Sequence, residues 1–284
     1  MAAVRKDQRK LTTGERSGFI AAVLALKKQG LYDPFVQTHA DAHKRMVPHG
    51  GPAFLPWHRQ FVLVFEQALQ RIDPSVTVPY WDWSVDQSPN AAPWTADFMG
   101  GSGGPKKVVL DGPFAFANGW QLNVIDPNVG QRELTRRLGC ENELPTADDM
   151  RAVLDEVPYY VKPWQAFDPS PPGLATQPSF CNRLEGNYGS GYIHGFVHNW
   201  VGGEMMRLLT SPNDPIFWLV HSNIDRVWVQ WQQMHRAEQY HPTGVGGENS
   251  PMNQNLNDPL WPWTVTPADL WSHDALGYRY DSES

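Results

Sequence analysis

Seven of the ten histidines in this 284-residue chain fall into two groups: His39, His43, His49 and His58, then His194, His198 and His221. In "YIHGFVHNW" His194 and His198 stand four residues apart, which on a helix sets both rings on one face, a turn apart and able to grip one ion. Such a pair alone is more often incidental than functional. His221 adds weight to it. Within "NDPIFWLVHSNIDRVWVQWQ" its neighbours Ile224, Val227 and Trp228 form an apolar helix face, where an imidazole without a partner costs free energy. A metal ion supplies that partner.

The first group repeats the arrangement. "FLPWHRQFVLVFEQAL" places His58 at the start of an apolar helix, with Pro56 suited to the first turn, and Phe54 four residues before it. Phe217 likewise stands four before His221. Two related half-sites facing each other in a helical bundle account for the repeat better than a set of satisfied core histidines does. Three neutral imidazoles per ion, without thiolate or carboxylate, suit zinc, copper or iron. Zinc would make a hydrolytic site with an activated water. Copper holds nitrogen ligands more tightly, and two coppers close together can bind dioxygen between them. Spacing leaves the metal open.

The elements that must carry these rings are helical. Apolar periodicity predicts helices over residues 13–28, about 32–44, 58–72 and 191–232, the last broken by "TSPNDP" at Thr210 to Pro215. "TTGE" at Thr12 to Glu15 reads as a capping box opening a helix that turns Phe19, Val23, Leu24 and Leu26 inward. "MGGSGGPKKVVLDGPF" (99–114) is a glycine loop running into a short strand. "DPSPPGLATQPS" (168–179) and the segment from Gly244 to Pro262 have no periodicity. With 25 prolines, 24 glycines and 13 tryptophans, much of the chain is expected to be ordered loop packed by aromatics. The expected fold is mainly α, a central four-helix bundle wrapped by long loops with a few short strands, in a single domain over 1–284.

Composition excludes several roles. A net charge of −7 without a Lys/Arg stripe argues against nucleic acid. No apolar run approaches the roughly 20 residues of a membrane span. "FIAAVLALKK" mimics a short signal peptide but lacks a small-residue cleavage site after it, so either a cytoplasmic location or secretion with a partner is expected. Cys140 and Cys181 are too few for a disulfide framework, although they could pair with each other in an oxidising environment. Neither is expected to matter for chemistry.

"FLPWHR", "PYWDWS" (Pro79 to Ser84), "HGFVHNWVGG" and "NDPIFWLVHSNIDRVW" together resemble the type 3 copper proteins, most closely the small bacterial tyrosinases and o-aminophenol oxidases, from roughly Leu11 to Tyr278. The resemblance implies two copper ions, one held by His39, His49 and His58 and the other by His194, His198 and His221. Spacing alone favours His43 as the companion of His39. The resemblance instead matches His49, leaves His43 at the surface or beside a ligand, and so implies that His43→Ala spares both coppers. It further implies a small aromatic substrate, dioxygen as oxidant, and a separate small copper chaperone.

Relatives hydroxylate monophenols with a water held between a Glu and an Asn. Glu185, in "CNRLEGN", matches the Glu, but Gly195 stands at the Asn position. Many relatives carry two adjacent histidines where this chain has Val220 and His221. The ligand is His221, which keeps the four-residue spacing to Asp225. Val47 and Pro48 precede His49, so the Cys–His thioether of fungal and plant members cannot form, and without the C-terminal shielding domain of eukaryotic members the site should be open. Oxidation of o-aminophenols and catechols to quinone imines and quinones is therefore expected ahead of true tyrosinase activity or aryl-amine oxidation to a nitroso product. The rivals outside redox enzymes are a zinc hydrolase and a hemocyanin-like carrier. Asp82, Asp225 and Arg226 read as helix-tying ion pairs or as groups that orient ligands. Trp81, Trp83, Trp200 and Trp228 read as core.

Overall fold

The computed structural model describes residues 3–90, 92–104, 107–125, 129–161, 178–186, 193–244 and 254–283. Among these the helices are α1 (Thr13–Lys28), α2 (Asp33–Lys44), α3 (Phe54–Gln70), α4 (Ala147–Leu154), α5 (Phe180–Glu185), α6 (Ile193–Val201) and α7 (Ile216–Met234). The strands are β1 (Ala3–Arg5) and β2 (Tyr278–Tyr280), paired in parallel with Val4 opposite Arg279. Mainly α architecture is thus what forms.

Helices α3 and α7 are apolar around most of their circumference and are buried accordingly. They pack on each other at the centre. Phe65 of α3 stacks flat on Trp218 of α7, centroids 3.6 Å apart. Phe35 of α2 closes the same cluster edge-on, 5.3 Å from Phe65 and 5.7 Å from Trp218. From the other side α6 brings His194 within 5.0 Å of the Phe54 ring and His198 within 6.1 Å of Phe217. Helices α2, α3, α6 and α7 are the four of the expected bundle. Outside it α1 lies against α3, opened by the capping box of Thr12 and Glu15 and burying Phe19, Val23 and Leu26, with Leu24 only partly covered.

The structure shifts some expected boundaries for local reasons. Helix α3 starts at Phe54 rather than 58, because Pro56 sits in the first turn, where its missing N–H has no intrahelical acceptor to lose. The break between α6 and α7 begins at Gly202, eight residues before "TSPNDP". Gly203 holds φ +57, and a Cβ there would lie 2.1 Å from the Thr135 carbonyl oxygen, so only glycine fits. Helices α4 and α5 were not expected. A capping box of Thr146 and Asp149 marks α4, while six-residue α5 is too short for periodicity to show. The strand expected after the glycine loop is a single bridge, Val108 to Thr135. Most of 168–179, and residues 245–253 of the later loop, lie outside the described residues.

The β pair ties both ends of the described chain to the bundle through a buried ionic cluster. Arg5 donates to Glu66 at 3.0 and 3.2 Å and to Asp225 at 3.2 Å. Arg59 donates to the other Asp225 oxygen at 2.5 Å, and the hydroxyls of Tyr278 and Tyr280 each donate to Asp225 at 2.6 Å. Burial pushes the Asp225 carboxyl up, but the guanidiniums of Arg59 and Arg5 outweigh it and hold the pKa below the ordinary value. Arg226 pairs with Asp82 at 2.7 Å and lies over the Tyr80 ring. These contacts read as structural ties: Asp225 joins α7 to α3 and to the β pair, and Asp82, in the segment after α3, is joined to α7 through Arg226. Trp81, Trp83, Trp200 and Trp228 are buried as expected. Cys140 is exposed, Cys181 is buried, and both are free. No helix among the described residues is long and apolar enough to cross a membrane.

Removing Asp225 leaves the buried Arg59 guanidinium without a carboxylate while Arg5 keeps Glu66, and Asp225→Ala is expected to cost about 3–5 kcal/mol of unfolding free energy. A denaturant titration reads this as a lowered midpoint. An unchanged midpoint would show that the cluster contributes nothing to stability.

Candidate metal centre

Two sets of histidines, His39/His49/His58 and His194/His198/His221, each bring one ring nitrogen per residue within 4.8 Å of the others. The structure thus places all six expected ligands in two triads and leaves His43 out of both. Helix α2 carries His39, α3 carries His58, α6 carries His194 and His198, and α7 carries His221. His49 comes from the loop between α2 and α3. Across the triads His58 and His221 stack with centroids 4.2 Å apart and planes 15° apart, so the two metal positions are neighbours.

One nitrogen on each of several rings is already committed. The Nδ1–H of His39 donates to Leu209 O at 3.1 Å, that of His58 to Phe54 O at 2.8 Å, and that of His198 to Met205 O at 2.7 Å. The His194 ring is bonded by the backbone of Glu185. These bonds fix the tautomer and aim Nε2 inward. The Nε2 atoms of His39, His58 and His198 are buried without a hydrogen-bond partner, an arrangement that costs free energy unless an ion takes the lone pairs. In the second triad Nε2 of His194 and Nε2 of His221 stand 3.3 Å apart. Two nitrogens each about 2.0–2.1 Å from one ion at a near-tetrahedral angle are separated by roughly that distance. The residues fit a metal in both triads.

The electrostatics agree. Burial lowers the pKa of His39 to about 3 despite the Leu209 bond, and that of His198 to about 4 despite the Met205 bond. Burial, and then neighbouring imidazoles, hold His49, His58, His194 and His221 well below the ordinary value. All six are therefore neutral near pH 7, the form that ligates.

The segment after α6 carries two of the orienting carbonyls, one for each triad. Buried Glu204 closes it, accepting from Thr210 Oγ1 at 2.7 Å and Asn213 Nδ2 at 3.0 Å. Met205 and Leu209 had no signal in the sequence, because an orienting carbonyl leaves no side-chain signature. Phe54 and Phe217 also do more than space the motif. Phe217 packs 4.1 Å from His221 and 5.3 Å from His39, and Phe54 lies 4.9 Å from His58 and 5.0 Å from His194, so each ring wedges between triads.

Glu185, the last residue of α5, accepts from the Gly50 N–H at 2.7 Å, which clamps the loop next to His49. Gly195 follows His194 on α6, and a Cβ there would meet nothing within 4 Å. Val220, where relatives place a histidine, is fully buried apolar packing. His43 reaches the site indirectly, its Nδ1 lying 3.1 Å from Nδ1 of His49.

A model of the common central domain of tyrosinase matches residues 29–234. The chain is 43% identical to a tyrosinase of Streptomyces glaucescens, with 99% of each chain covered. It is 39% identical to a grixazone synthase of Streptomyces griseus, with 99% of this chain and 100% of that one covered. Among solved structures, a polyphenol oxidase of Thermothelomyces thermophila superposes with a TM-score of 0.72 at 22% identity, covering 100% of this chain and 89% of that one.

Alanine at any one of the six histidine positions is expected to lower the metal content, as measured by elemental analysis of the purified variants, because two imidazoles hold an ion poorly. A variant with full metal content would remove that residue from the ligand set. The metal-free protein should also be acid-sensitive. Below about pH 6.5 the unfolded chain takes up protons on these histidines while the native state, with its lowered pKa values, does not. Stability present above that pH is then lost as pH falls toward the native values of about 3 for His39 and about 4 for His198. Denaturant midpoints of the metal-free protein should decline between about pH 7 and about pH 5. A constant midpoint contradicts the neutral-imidazole assignment.

Proposed function

The chain belongs to the tyrosinase family and is a type 3 copper oxidoreductase with two coppers held by its histidine triads; on that premise we propose that its preferred substrates are o-aminophenols and catechols, oxidised to o-quinone imines and o-quinones. The bound coppers supply the reduction of dioxygen. Each substrate gives up two electrons and two protons, so two substrate molecules and one dioxygen yield two oxidised products and two waters. The single copper domain is proposed to span 1–284, with copper delivered by a small separate chaperone.

Gly195 carries this reading. A monophenol must lose its proton and gain a ring oxygen, whereas o-aminophenols and catechols already hold both heteroatoms and need only oxidation. In the family resemblance the proton is taken by a water held between a Glu and an Asn. Glu185 is present and pinned by Gly50, but Gly195 offers no side chain to complete the pair. A base of this kind loses effect when it is poorly positioned. The histidine triads, by contrast, serve both reactions alike and do not discriminate. The runner-up is monophenol hydroxylation, favoured by Glu185 and by the relatives named tyrosinase at 43% identity.

The open space at Gly195 lets the question be asked without disturbing packing. Gly195→Asn is expected to raise monophenol hydroxylation relative to catechol oxidation by roughly 10–100-fold, within the range of one positioned acid–base group. Oxygen uptake is compared for a monophenol, a catechol and an o-aminophenol bearing the same ring substituent. Equal rates on all three by the parent protein would make it a tyrosinase in activity and defeat the proposal.

A further inference from the structure

Five of the six copper ligands sit on helices, and His49 does not. The loop that carries it is held through its backbone: Glu185 accepts from Gly50 N, Gln254 accepts from Ala53 N at 3.1 Å and donates to Val47 O at 3.2 Å, and the Tyr159 hydroxyl donates to Pro52 O at 2.7 Å. None of these bonds fixes the rotation of the His49 ring. His39, His58 and His198 each have a backbone carbonyl on Nδ1 for that purpose. For His49 the atom in that place is Nδ1 of His43, at 3.1 Å, with ring centroids 5.2 Å apart.

We propose that His43 is a positioning residue for the first copper, standing in for the missing carbonyl by accepting the His49 Nδ1–H and so aiming His49 Nε2 at the metal. The inference rests on the copper assignment above. Two Nδ1 atoms in contact need one proton between them. With His49 Nε2 committed to copper, that proton belongs to His49, and His43 must be the Nε2–H tautomer with its Nδ1 lone pair turned inward. Half-buried His43 can keep its own Nε2–H toward solvent, at little desolvation cost. The location follows from helix geometry: His43 is four residues after His39 on α2, so its ring lies one turn along the same face and reaches the neighbouring ligand instead of the ion. The expectation from spacing made His43 a ligand; of the two places the resemblance left open, surface or beside a ligand, His43 takes the second, and of what the resemblance implied only the expectation that His43→Ala spares both coppers is replaced. Groups that orient metal-bound imidazoles typically change metal affinity by 10–100-fold when lost.

The test uses the full chain loaded with two coppers and challenged with graded chelator, the remaining copper being counted by metal analysis, with no reliance on turnover. His43→Leu and His43→Ala remove the acceptor. His43→Asn retains one, because the asparagine side-chain oxygen occupies nearly the position of Nδ1. The Leu and Ala variants are expected to release one copper at about 10–100-fold lower chelator than the parent while keeping the second, and Asn is expected to restore retention. Parent-like retention by Leu and Ala, failure of Asn to rescue, or release of both coppers together would each overturn the proposal. The two variants lacking the acceptor keep the comparison available should one of them fold poorly. A parent chain that takes up no copper would instead refute the copper assignment, a separate result visible before any variant is examined.

Discussion

Six uncharged imidazoles must share one buried space with their lone pairs converging, and nearly everything near the centre of this protein serves that constraint. An imidazole in an apolar interior is tolerated when both nitrogens are satisfied. Backbone carbonyls satisfy Nδ1 of His39, His58 and His198, and the opposite nitrogens are left for an ion. Burial keeps the rings unprotonated without help from any carboxylate in the triads. The same desolvation that makes the site unfavourable when empty makes it ready to ligate.

The two half-sites solve the constraint differently. The triad on α6 and α7 takes all three rings from helices, two of them on consecutive turns, so the backbone ladder sets their spacing. The triad on α2, α3 and the intervening loop has one ring whose place depends on outside clamps, among them Glu185 and Gln254. Glu185 is common to both, since its carboxylate holds Gly50 and its backbone bonds His194. The segment closed by Glu204 is also common, giving Met205 to one triad and Leu209 to the other. Shifts in either connection would therefore be felt at both metals. The ionic cluster around Asp225, one helical turn beyond His221 and joined to the residue after His58, fixes α3 and α7 against each other and against the β pair.

Much of this was legible in the sequence wherever a side chain carried the signal. The spacing of His194 and His198, the Phe-to-His repeat before His58 and His221, and the capping box at Thr12 each correspond to what the structure contains. Spacing favoured His43 over His49, because His43 lies four residues after His39 on α2 and the loop geometry that brings His49 inward has no repeat to read. Family resemblance resolved that choice. Resemblance in turn left His43 either at the surface or beside a ligand, and could not name His49 as its partner, since it matches motifs and His43 lies outside them. Orienting carbonyls and the short helix α5 were illegible for the complementary reason that their role depends on position alone, with nothing in residue type to mark it.

Belonging to the family determines how the metals are held and leaves the choice of substrate to be argued. The ligands and their carbonyls lie in the buried bundle, where a change of one group disturbs packing, tautomer and charge together, so little variation is tolerated there. Gly195 lies on α6 beside His194, but the space a side chain would enter there is vacant. A residue can be exchanged at such a position without displacing a ligand. On the proposed reading a monophenol needs a ring oxygen as well as the loss of its proton, and the part of that extra step which this chain's residues control is the placing of one proton acceptor. Under that proposal the residue that follows His194 is the point at which two proteins with identical triads differ in reaction.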